Sequence, residues 1–300
     1  MAETERPRKT IAGRYEVLRP LGRGGMGKVF LVRDLTTGQE LALKMLRSQW
    51  QSRKAVIARF LREIETVRQL DHPCIVKILD AHHDDELLFY TMEYVEGKSL
   101  RHWLQKRGKL EFGSVVRVLC LVAHALEHAH RVTIHRDLSP ENIMVLPDGS
   151  VRLLDFGLAK IEDANQGLTM VGSSLGKMQY VAPEQRRNAA KVDHRADLYP
   201  LGIMFFEMLS GQLPNGRDLL SRLCPGLPPG TDEFVARAVA ADPAERFQSA
   251  REFRHALLAL YESSKAPRTS GRGRDGGAVA PAPPRRGLFA RLRAWWRRPG

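Results

Sequence analysis

The sequence predicts an α+β fold in two unequal parts, β-rich to about Val95 and helical beyond it, followed by a basic tail of different character. Three observations carry this. Short apolar runs bounded by glycine and turn residues fill the first third of the chain. Apolar residues then recur at helical spacing from Ser99 onward. After residue 261 the composition shifts to Pro, Gly, Ala and Arg, which bury too little apolar surface to fold. With 300 residues, 43% of them hydrophobic, the chain can bury a sizeable core, and its length suits about two domains.

Taken in order, Tyr15 to Leu21 and Val29 to Val32 read as strands flanking the glycine-rich stretch Gly22-Arg23-Gly24-Gly25-Met26-Gly27-Lys28. Glycines there allow backbone amides to approach phosphates with no side chain in the way. The same pattern also suits a tight hairpin; the strands that follow, where a dinucleotide fold needs a helix, remove that third reading. Leu41 to Lys44 is a short apolar strand, and a charged helix carrying Arg59 to Glu65 precedes Leu70-Asp71-His72-Pro73. Leu87 to Tyr94 reads as a strand, and Ser99 to Lys106 and Val115 to Arg131 as helices. Two short strands, Ile143 to Val145 and Val151 to Leu154, flank the turn Pro147-Asp148-Gly149. Leu198 to Leu209 is an apolar helix expected in the core of the larger part.

No apolar run approaches the roughly 20 residues of a membrane span, and the N-terminal residues lack the apolar stretch of a signal peptide, so a cytoplasmic location is expected. Cys74, Cys120 and Cys224 stand far apart among apolar neighbours, the pattern of buried reduced thiols. His124 and His128 share a helix face at zinc-ligand spacing, but no third ligand accompanies them, and helix packing is the expected role.

The chemistry is concentrated in His135-Arg136-Asp137-Leu138-Ser139-Pro140-Glu141-Asn142, followed by Asp155-Phe156-Gly157. An Asp, an Asn five residues later and a second Asp can build a phosphoryl-transfer site: one carboxylate takes the acceptor hydroxyl's proton, and the Asn and the other carboxylate hold divalent metal on the phosphates. With its motifs in this order, the chain resembles the eukaryotic-like (Hanks-type) Ser/Thr protein kinases of bacteria over roughly residues 14–261. The resemblance implies a bilobal protein-kinase fold, with an N-lobe over about 14–95, a C-lobe over about 96–261 and residues 1–13 as a leader.

It implies ATP and Mg²⁺ as cofactors and protein hydroxyls as substrates. Lys44 stands where the family's lysine pairs with the α- and β-phosphates, with Glu63 of the next helix as its partner and Glu65 as the nearby alternative. The nucleotide pocket is expected to be lined by Leu21, Gly22, Gly24, Gly27, Val29, Ala42, Lys44, Met92, Glu93 and Val95, with Met92 as gatekeeper. Asp137 is the expected catalytic base, and Asn142 and Asp155 the metal ligands. Ala182-Pro183-Glu184 ends the activation segment, Arg246 is the expected partner of Glu184, and Asp197 the expected anchor of the catalytic-loop backbone. Arg136 is expected to receive a phosphate carried by Thr169, Ser173 or Ser174.

Two positions and one segment depart from the family pattern. Ser139 stands where Ser/Thr kinases carry a lysine, and Lys177 where they carry the activation-segment hydroxyl. The two side chains look exchanged, which makes Lys177 the expected γ-phosphate cation beside Asp137 and Ser139 the source of the hydroxyl. The helix that projects from the family's large lobe is reduced to little more than Arg217 to Leu223.

Of the formal charge of +13, residues 262–300 supply +8, with ten Lys and Arg against Glu262 and Asp275. Residues 262–287 read as a flexible linker. In the segment 288–298 a helix would gather Leu288, Phe289, Leu292, Trp295 and Trp296 on one face and the arginines on the others. That is the pattern of an interfacial helix on an anionic membrane; docking on protein, nucleic-acid contact and the stub before a membrane span are its rivals, and no specific nucleic acid is expected. For the whole chain the expected activity is an active protein kinase. The alternatives are a pseudokinase-type binding module, at odds with Lys44, Glu63, Asp137, Asn142 and Asp155 all being present, and a small-molecule phosphotransferase of related fold.

Overall fold

Alternation along the N-terminal strands decides how they stack. The computed structural model describes residues 9–24, 27–46, 54–84, 87–156, 177–187, 192–216 and 218–265. Strands β1 (Thr10–Ile11), β2 (Tyr15–Arg23), β3 (Gly27–Asp34), β4 (Glu40–Leu46), β5 (Ile78–His83) and β6 (Leu88–Glu93) form an antiparallel sheet in the order β1-β2-β3-β4-β6-β5. Successive side chains point to opposite faces. Val32, Leu41, Leu43 and Phe89 therefore join Ile11 and Tyr15 in an outer cluster, while Ala42, Leu46, Tyr90 and Met92 face the main core. Helix α1 (Lys54–Arg68) packs on that inner side through Val56, Ile57, Phe60, Ile64 and Val67, a helical apolar stripe. Strand β1 lies within the expected leader: Ile11 pairs with Tyr15 and is buried.

The C-lobe begins at β7 (Lys98–Ser99) and α2 (Leu100–Arg107), where the Ser99 side chain caps the helix by accepting from the His102 amide. Helix α3 (Phe112–Ala129) follows, then β8 (Ile143–Val145), β9 (Val151–Leu153), α4 (Pro183–Arg187), α5 (Leu198–Ser210), α6 (Leu220–Leu223), α7 (Thr231–Ala238) and α8 (Ala250–Lys265). Helix α3 has the length and apolarity to cross a membrane, more than the sequence reading allowed, but it is a core helix: Val115, Val118, Leu119, Val122 and Leu126 are buried, and it packs against α5 and α8. Gly202 of α5 permits a close crossing, since a Cβ there would lie 2.6 Å from Cβ of Ala238 in α7. The projecting helix is short, as expected, and α8 runs past the boundary expected at 261. The lobes are joined behind the cleft by hydrogen bonds from Val76 N to Leu153 O (3.0 Å) and from Leu153 N to Cys74 O (2.8 Å).

Candidate active site

The sheet places the N-lobe residues by register. Gly22 lies opposite Val29, Val29 opposite Lys44, and Lys44 opposite Tyr90; one row further on, Leu31, Ala42 and Met92 are aligned. Directly opposed residues share a face, and so do residues two apart in one strand. Val29, Ala42, Lys44, Tyr90 and Met92 therefore all face the cleft. A Cβ on Gly22 or Gly24 would meet nothing within 4 Å, whereas one on Gly27 would lie 1.9 Å from the Met45 carbonyl oxygen. Gly27 is thus required by sheet packing, and open space lies over Gly22 and Gly24. Leu21 is partly exposed at the end of β2, and Val95 is buried beyond β6. The Glu93 amide donates to Lys77 O at 3.0 Å, so this backbone group of the expected pocket lining is committed to the fold.

Lys44 Nζ lies 2.7 Å from Oδ2 of Asp155, and Glu65, the alternative partner expected for it, pairs with Arg68 within α1. Asp155 adopts φ 59°, in the left-handed region, and both of its carboxylate oxygens are engaged: Lys44 holds Oδ2, and the Tyr90 hydroxyl donates to Oδ1 at 2.7 Å. Burial works against the charged form of Asp155, but the Lys44 ammonium and the Tyr90 hydroxyl outweigh it and hold the group below the usual carboxylate range.

The catalytic loop hangs from Asp197. This buried carboxylate accepts from the amides of His135 and Arg136, each at 2.8 Å, and lies 2.9 Å from Nε2 of His130. Those bonds hold Arg136 at φ 65°, a conformation costing about 1–3 kcal/mol when unsupported. His135 Nε2 donates to Leu154 O at 2.9 Å, tying the loop to the residue before Asp155. At the tip, Oδ2 of Asp137 receives the Asn142 amide and the Lys177 ammonium, both at 3.0 Å. Burial would lower the Lys177 pKa, but the adjacent Asp137, with Asp155 and Glu141 beyond, raises it above the usual lysine value. One ammonium therefore stands in the field of both catalytic-site carboxylates. Ser139 does not join this bridge: it is buried, and its hydroxyl has no hydrogen-bond partner among the described residues.

The activation segment is pinned on its C-terminal side. Arg246, with a fully buried side chain, makes a two-pronged pair with Glu184 at 2.7 Å on each arm, as the family resemblance implies. Gln185 Nε2 donates to Arg136 O at 2.9 Å. Arg101 of α2 joins three segments, donating to Glu141 (2.8 Å), Glu207 (2.6 Å) and the Tyr180 hydroxyl (2.6 Å); Tyr180 in turn donates to Glu207. The sequence reading missed Arg101, Glu207, His130 and Tyr90. Only Tyr90 left a signal, since alternation in the predicted strand puts it on the same side as Met92. Gly157, Thr169, Ser173, Ser174 and the segment 288–298 lie outside the described residues.

The donor set fits a divalent cation. Asn142 spends its amide nitrogen on Asp137 O (2.6 Å) and Oδ2, which leaves its oxygen as the ligand atom. Asp155 is ionised, and each oxygen keeps a lone pair beyond the bond it already accepts. Both are the hard oxygen ligands that Mg²⁺ takes.

The glycine-rich strand pair, the lysine facing the Asp155 carboxylate and the loop anchored on Asp197 define a phosphotransferase cleft between two lobes. Residues 15–221 match the protein kinase domain family, and the chain belongs to it. It is similar to serine/threonine-protein kinase PrkC of Bacillus subtilis, 32% identical over 86% of this chain and 42% of that protein. It is likewise similar to pkn3 of Myxococcus xanthus, 37% identical over 92% of this chain and 55% of that protein. The chain thus spans about half the length of the curated relatives it matches. Among solved structures, the PknI kinase domain of Mycobacterium tuberculosis superposes with a TM-score of 0.68 at 32% identity, covering 87% of this chain and all of that one.

Proposed function

We propose that the chain is the catalytic body of an ATP-dependent Ser/Thr protein kinase, with Asp137 as base, Asn142 and Asp155 as metal ligands, and Lys44 as the cation on the α- and β-phosphates. The observation that carries this reading is the convergence of Asn142 and Lys177 on Oδ2 of Asp137. Both contacts fall on one oxygen, and Oδ1 has no hydrogen bond among the described residues, so it is the atom to accept the proton of a substrate hydroxyl. Mg²⁺, when bound, neutralises charge on the transferring phosphoryl group. Lys177 supplies further positive charge beside the base, where the γ-phosphate must arrive for transfer. Glu63 is the partner proposed for Lys44 once Asp155 holds the metal.

Phosphate on Thr169, Ser173 or Ser174, received by Arg136, is the proposed activating modification. The sequence pattern of 288–298 supports contact with an anionic membrane face, which would put the enzyme at the cytoplasmic side of the membrane. Sedimentation with anionic but not neutral vesicles, lost on deleting residues 285–300, tests that part.

The test of the whole is transfer of radiolabel from ATP with Mg²⁺. Wild-type chain should label itself and a generic protein substrate, and Asp155→Asn should do neither while keeping its circular dichroism. Labelling of small molecules only, or none by the wild type, would overturn the proposal.

A further inference from the structure

The bond from Tyr90 to Asp155 lies outside the roles assigned above. Tyr90 is 1% exposed, its ring packed 6.0 Å from that of Phe60, and its hydroxyl is its only polar side-chain atom. Such a hydroxyl must find a partner or cost stability. The partner it finds is Oδ1 of Asp155, whose other oxygen is held by Lys44, the residue directly across the sheet from Tyr90. Two neighbouring strands thus hold one carboxylate by both oxygens, at a residue whose backbone sits at φ 59°.

We propose that Tyr90 is the positioning residue for the metal-binding carboxylate: its hydroxyl fixes the rotation of the Asp155 side chain so that the carboxylate stays aimed at the cation when Lys44 turns to the nucleotide phosphates. This rests on the kinase reading and deepens it. Lys44 has a second task in that reading, whereas Tyr90 is buried in the sheet and, among the described residues, its hydroxyl donates to Asp155 alone. Hydrogen-bond partners of metal-ligating groups orient them, and losing one typically costs about 10–100-fold in metal affinity or activity.

Tyr90→Phe keeps the ring and removes only the hydroxyl. Calorimetric titration of ADP into each protein, once with Mg²⁺ and once in EDTA, isolates the metal's contribution to nucleotide affinity. In wild type Mg²⁺ should tighten ADP binding; in Tyr90→Phe affinity in EDTA should stay within about twofold while the gain from Mg²⁺ falls about tenfold. The Mg²⁺ concentration for half-maximal activity should rise in step, with kcat at saturating Mg²⁺ much less affected. An equal gain in both proteins overturns the role given to Tyr90 and leaves the kinase reading standing. A wild type whose ADP affinity ignores Mg²⁺ overturns both. A lower melting temperature with unaltered metal dependence would mark the bond as purely structural and also overturn the proposal.

Discussion

Lys177 and Asp137 form an ion pair at the active site, Nζ to Oδ2 at 3.0 Å, although 40 positions separate them in the chain. The lysine comes from the activation segment and the aspartate from the catalytic loop, so the pair can form only when the two segments are docked together.

The pair supports a double-mutant cycle. Lys177→Thr should lower kcat by about 10²–10³-fold, the range for losing one group that stabilises developing charge. Ser139→Lys alone should also be damaging, because it introduces a second cation into a buried position beside the first. The double swap should recover part of the activity, and steady-state kinetics of the four proteins should show non-additivity. Wild-type turnover in Lys177→Thr would remove the lysine from the mechanism.

Replacing the base separates chemistry from binding. Asp137→Asn should cut kcat by about 10²–10⁴-fold while nucleotide affinity stays near wild type, since Lys44 and Asp155 are untouched. Single-turnover transfer combined with ADP titration measures both. A parallel loss of ADP affinity would point to a collapsed loop instead.

Glu184 holds a guanidinium that water cannot reach. Glu184→Ala leaves Arg246 charged and fully buried, with only backbone carbonyls such as Ala240 O (2.7 Å) as acceptors. Breaking such a pair costs about 3–5 kcal/mol, to be read from the denaturant midpoint. A change within about 0.5 kcal/mol, the usual range for surface substitutions, would contradict the burial argument.

His72 gives stability a pH dependence. Its Nδ1 accepts from the Cys74 amide at 3.1 Å and its ring packs on His124 and His128; burial first, then the charge of these histidines and Arg152, lowers its pKa to about 4. A folded pKa below the unfolded value means that the unfolded chain takes up the proton first. The contribution is therefore complete above about pH 6.5 and is lost as pH falls through about 4. In His72→Asn the melting temperature should fall less steeply over that window; an unchanged slope would show that other groups govern it.

The sequence alone determined the order of the motifs and the β-rich and helical halves, because these depend on local spacing and strand or helix periodicity; the resemblance those motifs carry singled out Lys44, Asp137, Asn142 and Asp155. It also marked Lys177 and Ser139 as out of place. Tertiary structure decided which of these side chains meet. Asp155 faces Lys44 because a left-handed backbone turn and a cross-strand tyrosine hold its carboxylate against the sheet, and neither is encoded by spacing. Lys177 reaches Asp137 while Ser139 stays buried, a distinction set by the docking of two distant segments. Arg101 remained hidden because its partners Glu141, Tyr180 and Glu207 come from three separate stretches of chain. Periodicity reports the face on which a side chain lies, whereas an ion pair depends on which two faces the fold brings together.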